Sequence, residues 1–247
     1  AEAHSNLGIT LQEMGRLQEA ETSYRQAIVL KPDHANAHSN LGALLDILKK
    51  PYEALKRYER AHALEPDTDY LLGAKLFARM RLCIWDGLSQ SLIELTQRIN
   101  KGERASAPFP LHGLIDSPGL HGKAAGITSK HKYPRSDILP KISPYTRHKK
   151  IRVGYFSPDF RNHPVSNLTA ELYERHDRAR FEIHAFSFGK DSDDEWAWRI
   201  KAGVDHFHDV CAMSDEDVAM LSRSVELDIA VDLTGLTQGC RPRIFAM

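Results

Sequence analysis

The feature that most constrains how this chain can fold is a repeat near its start. The segment AHSNLGITLQEMGRLQEAETSYRQAIVLKPDH, from Ala3, aligns without a gap with AHSNLGALLDILKKPYEALKRYERAHALEPDT, from Ala37, an offset of 34 residues. Repeats of this length are helical units that bury their apolar faces against each other, so the pattern predicts an α-solenoid. The matched positions are Leu7 and Leu41, Gly8 and Gly42, Leu11 and Leu45, Ala20 and Ala54, Tyr24 and Tyr58, Ala27 and Ala61, and Pro32 and Pro66.

This repeat resembles the tetratricopeptide repeat, which has the same period and the same small, aromatic and proline positions. Gly8 would let two antiparallel helices approach closely, and Pro32 would end the second helix. Asn6 and Asn40 recur at one repeat position, and asparagine amides can hydrogen-bond a peptide backbone without reading its sequence. We therefore expect both asparagines to contact acceptor peptides, and we expect further repeats to precede Ala1.

No third copy follows, and the rest of the chain divides by composition. Two amphipathic helices, roughly 69–83 and 86–101, are predicted to cap the solenoid, with Cys83 and Trp85 in the core. The following stretch is rich in Pro, Gly, Ser and His, with short helices expected around 119–130. The predicted divisions are 1–68 for the repeats, 69–101 for the connector helices, 102–148 for a linker and wrapping segment, and 149–247 for a last domain.

Composition excludes several classes of protein. The chain has 247 residues, and 33 Lys and Arg balance 33 Asp and Glu, which argues against a nucleic-acid partner. The sequence contains no run of about 18 apolar residues, so it predicts no membrane-spanning helix. The widely spaced Cys83, Cys211 and Cys240 favour the reduced thiols of a cytoplasmic protein. Because the chain begins inside a repeat and stops just after a new element starts, we expect it to be a fragment.

From residue 149 onward, strand and helix patterns alternate. IRVGYFS, FEIHAFSFG, VDHFHDV and LDIAVDLTG are predicted strands, with three helices between them, the last opened by a capping box of Ser214 and Asp217. This order predicts a parallel sheet with right-handed crossovers. The predicted fold class is therefore α + α/β, an α-solenoid followed by an incomplete Rossmann-like parallel sheet.

Polar residues follow the first and fourth of these strands. His163 lies in the loop after the first strand, before a proline that suits the first turn of a helix, and Asp232 ends the fourth strand. Ligands of such folds bind at this edge, where helix N-termini favour anions. His163 and Asp232 are candidate catalytic residues, although a histidine there is often only a cap, and Asp232 could simply bind loop N–H groups. The candidate substrate-binding residues are Asn162, Pro164, Thr234, Gly235, Thr237 and Gly239.

The order of these segments resembles the O-GlcNAc transferase/SPINDLY family of bacterial type. The most specific parts are SPDFRNHP and the run from VDLTGLTQG to the final FA, and YLLGAKLFARMRLCIWDG resembles the family's connector. The resemblance implies an inverting, metal-independent, type-B glycosyltransferase with two Rossmann-like lobes, of which this chain carries the start of the N-terminal lobe. It implies transfer of N-acetylglucosamine from UDP-GlcNAc to Ser or Thr of proteins, with the nucleotide sugar as substrate and no cofactor.

By position, the resemblance gives His163 the place of the family's active-site histidine, which is a candidate general base or a contact to donor or acceptor. It gives residues 234–239 a place in the same cleft. Leu236 departs from the His or Tyr that the family commonly has there. The nucleotide-binding lysine and most donor contacts are implied to lie in the second lobe. Two alternatives stay open: a SPINDLY-like O-fucosyltransferase that uses GDP-fucose, and a repeat scaffold without catalysis.

Two motifs suggest a metal, but we predict none. Asp191 and Asp193 match the Asp-x-Asp pattern that holds a metal and sugar nucleotide in some glycosyltransferases, yet they directly precede a predicted helix, where acidic residues complement the dipole. His206 and His208 point to one face at strand spacing, but two histidines lack a third ligand. Neither GxGxxG nor GxxxxGK[ST] occurs in the sequence, so no standard nucleotide-binding loop is predicted.

Overall fold

The computed structural model describes residues 1–142, 145–146, 148–237 and 239–247. They form two compact units, Ala1–His131 and Lys132–Met247. The first unit is entirely helical, and the second contains a parallel sheet. No helix in the described part of the chain combines the length and the apolar character needed to cross a bilayer.

The helices of the first unit begin with the two predicted repeats. Each repeat folds into two helices, and helices α5 and α6 replace a third copy at the positions predicted for the connector. Helix α8 occurs where short helices were expected, around 119–130, and α7 occurs where the sequence indicated a linker. The helices are α1 (Glu2–Glu13), α2 (Leu17–Leu30), α3 (Ala35–Ile47), α4 (Pro51–Leu64), α5 (Leu71–Arg81), α6 (Leu88–Asn100), α7 (Pro108–Leu114) and α8 (Pro118–Lys132).

The packing inside the two repeats is nearly identical. A Cβ on Gly8 would lie 2.5 Å from the Tyr24 ring, and a Cβ on Gly42 would lie 2.7 Å from the Tyr58 ring, so each tyrosine requires a glycine opposite it. The Tyr58 hydroxyl donates to Asp46 Oδ2 at 3.0 Å, which satisfies its polar end. The period in the sequence is therefore the period of a glycine–tyrosine contact between paired helices.

Residues 102–131 pack into the first unit and do not form a free linker. The Gly73 N–H donates to the Ala105 carbonyl at 2.9 Å, and a Cβ on Gly73 would lie 2.1 Å from Ser106 Oγ. The close approach at Gly73 thus lets an extended segment pair with the start of α5, and Leu111 and Ala124 share a core with α5 and α6.

The expectation that Cys83 and Trp85 lie in the core is wrong. Cys83 is exposed, and Trp85 keeps 55% of its surface in solvent. Both residues belong to the tight connection between α5 and α6, where Cys83 adopts a positive φ of 57°. A turn of this kind lies at the surface, so an apolar residue type in it does not imply burial.

The second unit confirms the predicted sheet. Four strands pair in parallel in the order β3-β2-β1-β4, so the chain crosses from one side of β1 to the other after β3. A 3-10 helix, Pro242–Phe245, follows the last strand. The elements are β1 (Ile151–Ser157), α9 (Pro164–Arg175), β2 (Phe181–Ser187), α10 (Glu195–Gly203), β3 (His206–Asp209), α11 (Asp215–Ser224) and β4 (Ile229–Asp232).

Both faces of the sheet carry a core. On one face Val153, Tyr155 and Ile183 pack against α9 and α10, and on the other Phe156 and Phe186 pack against α11. Both strands are accordingly buried over their last five residues, 153–157 of β1 and 183–187 of β2. Ser214 Oγ accepts from the Asp217 N–H at 3.1 Å, which confirms the predicted N-cap of α11.

Candidate active site at the carboxyl edge of the sheet

The loops after β1 and β4 lie side by side at one edge of the sheet. Phe156 of β1 pairs with Asp232 of β4, and the Leu233 N–H donates to the Phe156 carbonyl at 3.1 Å, so the two strands end together. The strand order reverses between β1 and β4, and ligands of open α/β sheets bind outside the carboxyl ends at such a point. The structure therefore brings the two predicted groups of site residues to neighbouring positions on one edge.

His163 is the N-cap of α9. Its Nδ1 accepts a hydrogen bond from the Val165 N–H at 3.3 Å, and its side chain is 37% exposed. The carboxylate of Asp159 lies 3.7 Å from the same Nδ1, which is beyond hydrogen-bond distance. Because Nδ1 acts as an acceptor, the neutral ring carries its proton on Nε2.

The N-terminus of α9 offers an anion fewer N–H groups than the sequence suggested. Pro164 has no N–H, the Val165 N–H is bound by the His163 ring, and the Asn167 N–H donates to the His163 carbonyl at 3.1 Å. The imidazole Nε2–H is thus the polar donor that His163 itself adds to this edge, while the helix dipole contributes a positive potential.

Asn162 ties the loop after β1 to the next helix. Its N–H donates to Asp194 Oδ2 at 2.9 Å, while Asp194 Oδ1 accepts from the Ala197 N–H at 3.0 Å and caps α10. Hydrogen bonds from the Ser192 hydroxyl and from these two backbone amides lower the pKa of Asp194 to about 2. Asp194 therefore stays ionised at neutral pH and holds the backbone that presents His163.

Asp232 organises the loop that follows β4. Its Oδ1 accepts from the N–H groups of Thr234 and Gly235 at 2.9 and 3.1 Å, and Gly235 adopts a positive φ of 59°. These contacts match the alternative that Asp232 binds loop amides, so the geometry supports a positioning role more than a catalytic one. They also mean that these two amides are not free to bind a phosphate.

The remaining loop residues occupy the same edge. The Thr237 hydroxyl donates to the Thr234 carbonyl at 2.8 Å, and Gly239 turns the chain with a φ of 80° beside Pro158. Thr234 is 8% exposed, and its Oγ1 has no hydrogen-bond partner among the described residues. Gln238, inside the predicted loop, lies outside the described residues.

The Asp-x-Asp pattern has local partners. Asp191 pairs with Lys201 at 2.9 Å, and Asp193 Oδ1 accepts from Trp198 Nε1 at 2.8 Å. Both partners lie on α10, which starts one residue after the Asp194 cap. Asp193 thus contacts the first turn of α10, whereas Asp191 contacts its last turn, and both carboxylates have structural partners on this helix.

Asn6 and Asn40 line one groove in the repeat unit. Neither side-chain amide makes a hydrogen bond within the described part of the chain. Asn6 is exposed and Asn40 is half-buried, so both amides can reach an added peptide. The other lining residues are Glu2, Ser5, Ile9, His34 and Asn36.

Sequence reasoning missed one polar cluster, which lies on the sheet. Glu182 and His184 of β2 meet His206 of β3, with one ligand-type atom from each residue within 4.8 Å of the others. Burial lowers the pKa of His184 to about 4, so this ring is neutral at pH 7. The signal in the sequence was the Glu-x-His spacing in FEIHAFS, but only the pairing of β2 with β3 brings it to His206.

Comparison with known families assigns both parts of the chain. The model of glycosyl transferase family 41 matches residues 123–247, about half of the chain, and a tetratricopeptide-repeat model matches residues 1–65. A solved structure of a mutant O-GlcNAc transferase from Thermobaculum terrenum superposes with a TM-score of 0.64 over 99% of this chain and 48% of that one. At 22% identity this similarity describes the fold.

Curated relatives share parts of the sequence. The Arabidopsis thaliana protein named "Probable UDP-N-acetylglucosamine--peptide N-acetylglucosaminyltransferase SEC" is 37% identical over 99 residues, which are 40% of this chain and 10% of that protein. A Caenorhabditis elegans UDP-N-acetylglucosamine--peptide N-acetylglucosaminyltransferase is 27% identical over 182 residues, which are 67% of this chain and 16% of that protein.

A third relative is the Arabidopsis thaliana protein named "Probable UDP-N-acetylglucosamine--peptide N-acetylglucosaminyltransferase SPINDLY", 29% identical over 107 residues, which are 38% of this chain and 11% of that protein. The chain thus spans a minor part of the length of the curated relatives that it matches. The family match, the parallel sheet and the repeats agree with the resemblance found in the sequence. The chain belongs to glycosyl transferase family 41 and carries tetratricopeptide repeats ahead of the family region.

Proposed function

We propose that this chain is part of a protein O-glycosyltransferase that transfers N-acetylglucosamine from UDP-GlcNAc to Ser or Thr hydroxyls. The observation that carries the proposal is the placement of His163 and the Asp232 loop on adjacent strands, at the switch point of a family 41 sheet. The printed names of the three curated relatives support this donor and a peptide acceptor.

The proposed reaction is a single inverting displacement. The acceptor hydroxyl oxygen attacks the anomeric carbon, the bond from that carbon to the diphosphate oxygen breaks, and the hydroxyl proton passes to solvent water. Two features of this chain can assist: the Nε2–H of His163 can donate to a substrate oxygen, and the α9 dipole favours the developing negative charge of the leaving diphosphate.

His163 therefore acts as a hydrogen-bond donor in this proposal. A general base would need the lone pair of Nε2, but that atom carries the proton while Nδ1 accepts from Val165. Asp232 shapes the neighbouring loop through its two amide contacts. Asn162 and Pro164 set the position of His163. The loop after β4, with Thr234, Gly235, Thr237 and Gly239, forms the other side of the proposed substrate site.

The reaction is proposed to need no metal and no cofactor. The carboxylates of Asp191 and Asp193 are engaged by Lys201 and Trp198 of α10, which supports a structural use of the Asp-x-Asp pattern. Protein acceptors are proposed to bind the repeat groove through Asn6 and Asn40. The proposed location is the cytoplasm, where the nucleotide sugar is available.

The test uses the complete gene product. It is incubated with labelled UDP-GlcNAc or labelled GDP-fucose, a mixed protein lysate and excess EDTA, and label on protein is counted. We expect transfer from UDP-GlcNAc despite the chelator. Two results would establish the O-linkage. The label should be released from the protein by β-elimination, and an acceptor protein whose modified Ser and Thr residues are replaced should take up no label.

Other outcomes reject parts of the proposal. Transfer from GDP-fucose alone would retain the fold and the mechanism but assign a different donor. Loss of transfer with EDTA, restored by adding a divalent cation, would contradict the metal-independent step. No transfer and no binding of either nucleotide would identify a scaffold.

A further inference from the structure

A cluster of metal-ligand side chains lies on the α11 side of the sheet, away from the carboxyl edge. Glu182 and His184 alternate along β2 and so share one face, and His184 is the direct partner of His206 in the parallel register. This pairing places the three side chains on one face at the amino-terminal half of β2 and the start of β3. They come from two segments more than 20 residues apart, which is why the sequence indicated only His206 and His208.

The distances suit a small cation. Glu182 Oε1 lies 3.4 Å from His184 Nε2 and 3.0 Å from His206 Nε2, and the three ligand atoms are within 4.8 Å of one another. Zinc bonds to nitrogen and oxygen of about 2.0–2.2 Å place tetrahedral ligands roughly 3.3–3.5 Å apart. A zinc ion bound by all three residues would draw the ligand nitrogens of His184 and His206, which lie within 4.8 Å of each other, to this spacing.

His184 provides a separate indication of a ligand. The residue is only 3% exposed, yet its Nε2 has no hydrogen-bond partner in the described part of the chain, because the 3.4 Å approach to Glu182 lacks hydrogen-bond geometry. A buried polar atom of this kind costs stability unless something binds it. Its position beside a carboxylate oxygen is the position of a shared cation.

The surrounding contacts are those that orient metal ligands. His184 Nδ1 lies 3.0 Å from His208 Nε2, and the other oxygen of Glu182, Oε2, lies 3.4 Å from Arg152 Nε. If Nδ1–H of His184 donates to His208, the lone pair of its Nε2 points toward Glu182. Such partners on the far side of a ligand fix its tautomer and direction.

We propose that Glu182, His184 and His206 bind one Zn²⁺ ion that ties the edge strand β3 to β2. Two imidazoles and one carboxylate are a ligand set that zinc accepts, with the fourth position open to water on the side of His206, whose side chain is 50% exposed. His206 binds through Nε2 once its proton has moved to the exposed Nδ1. The ion is structural, because the site lies away from His163 and Asp232, and it is independent of the transferase proposal.

The test uses the purified chain, stripped of metal and dialysed, and titrated with ZnCl₂ in a calorimeter. We expect one Zn²⁺ per chain and a higher unfolding temperature with zinc. His206→Gln and Glu182→Gln should each weaken binding at least 100-fold, and His208→Gln, which removes an orienting contact, should weaken it about 10- to 100-fold. Co²⁺ in place of zinc should give the visible absorption of a four-coordinate site.

The matched control is His112→Gln. His112 and His121 form another pair of close imidazoles, with ring centroids 4.1 Å apart, but no third ligand-type residue joins them in a cluster among the described residues. This variant should bind zinc like the unaltered chain. Circular dichroism of each variant without metal checks that the fold is intact.

Two results would overturn the proposal. One is the same zinc affinity for Glu182→Gln, His206→Gln and His112→Gln, which would show adventitious binding elsewhere. The other is no binding to the unaltered chain, which would leave the cluster as a hydrogen-bonded pair of His206 and Glu182.

Discussion

At His163, one ring nitrogen is occupied by the helix that the residue caps. Nδ1 accepts from the Val165 N–H, which leaves Nε2–H as the group that can reach a substrate. Capping and the proposed substrate contact therefore use opposite sides of one ring, and two different substitutions can separate them.

His163→Asn keeps a side chain that caps helices well but removes the Nε2 donor, so we expect the fold to persist and the transfer rate to fall about 10²- to 10³-fold. His163→Ala removes the cap as well and should also lower the free energy of unfolding by about 0.5–2 kcal/mol. Steady-state transfer rates and urea unfolding of both variants measure the two effects. Full activity in His163→Asn would reject the donor role.

At the scale of elements, glycine has opposite consequences in two helices of the repeat unit. In α3, Gly42 makes room for the Tyr58 ring, and an added methyl group has no space. In α8, Gly126 faces open space, so its missing side chain only weakens the helix. The same residue type thus stabilises one helix contact and destabilises another helix.

Gly42→Ala should lower the free energy of unfolding by about 1–3 kcal/mol, because the Cβ would lie 2.7 Å from Tyr58. Gly126→Ala is the matched control in an open helical position and should raise it by about 0.4–1 kcal/mol. Thermal and urea unfolding followed by circular dichroism compare the pair. Equal effects of both changes would mean that the glycine–tyrosine contact does not select glycine.

The junction between the β1 loop and α10 depends on an ionised Asp194. Hydrogen bonds from Ser192, Asn162 and Ala197 lower its pKa from 3.8 to about 2. Because the folded pKa is the lower one, the stabilisation is complete well above pH 3.8 and is lost as the pH falls through about 2.

Asp194→Asn retains a capping side chain but no charge. We expect it to be less stable than the unaltered chain at pH 5, with the difference shrinking toward pH 2. Urea unfolding at several pH values measures this, and Asp137→Asn is the control, since the Asp137 carboxylate is 92% exposed. A difference that stayed constant down to pH 2 would contradict the assigned role of the charge.

At the scale of the whole molecule, the proposed acceptor groove and the proposed active site belong to separate compact units. The repeat groove with Asn6 and Asn40 lies in Ala1–His131, and the edge with His163 lies in Lys132–Met247. Each unit has its own buried core. A substitution in the repeat groove is therefore expected to leave the edge with His163 intact.

The double variant Asn6→Ala, Asn40→Ala in the complete gene product should raise KM for protein acceptors several-fold and leave KM for UDP-GlcNAc unchanged. The physical reason is the loss of two amides that can hydrogen-bond an extended backbone. Replacing Asn36, which lines the same groove but has no counterpart in the repeat alignment, is the comparison. Equal weakening for donor and acceptor would count against the groove as an acceptor site.

Local patterns in the sequence determined much of this molecule. The offset between Gly8 and Gly42 predicted the paired helices, and the alternation of strand and helix patterns after residue 149 predicted a parallel sheet, because both signals come from residues close in the chain. The same holds for His163, whose position between a strand and a proline predicted its place at the carboxyl edge of the sheet.

Tertiary structure decided what depends on residues distant in sequence. The strand register, and not the motif, joined Glu182 and His184 to His206. The orientation of backbone amides decided that Asp232 holds its loop and that Nδ1 of His163 is occupied. Packing against α5 and α6 made much of the expected linker part of the core of the first unit. A sequence pattern specifies which side chains close in the chain share one face of a helix or strand. Hydrogen bonds and sets of metal ligands also depend on segments that only folding brings together.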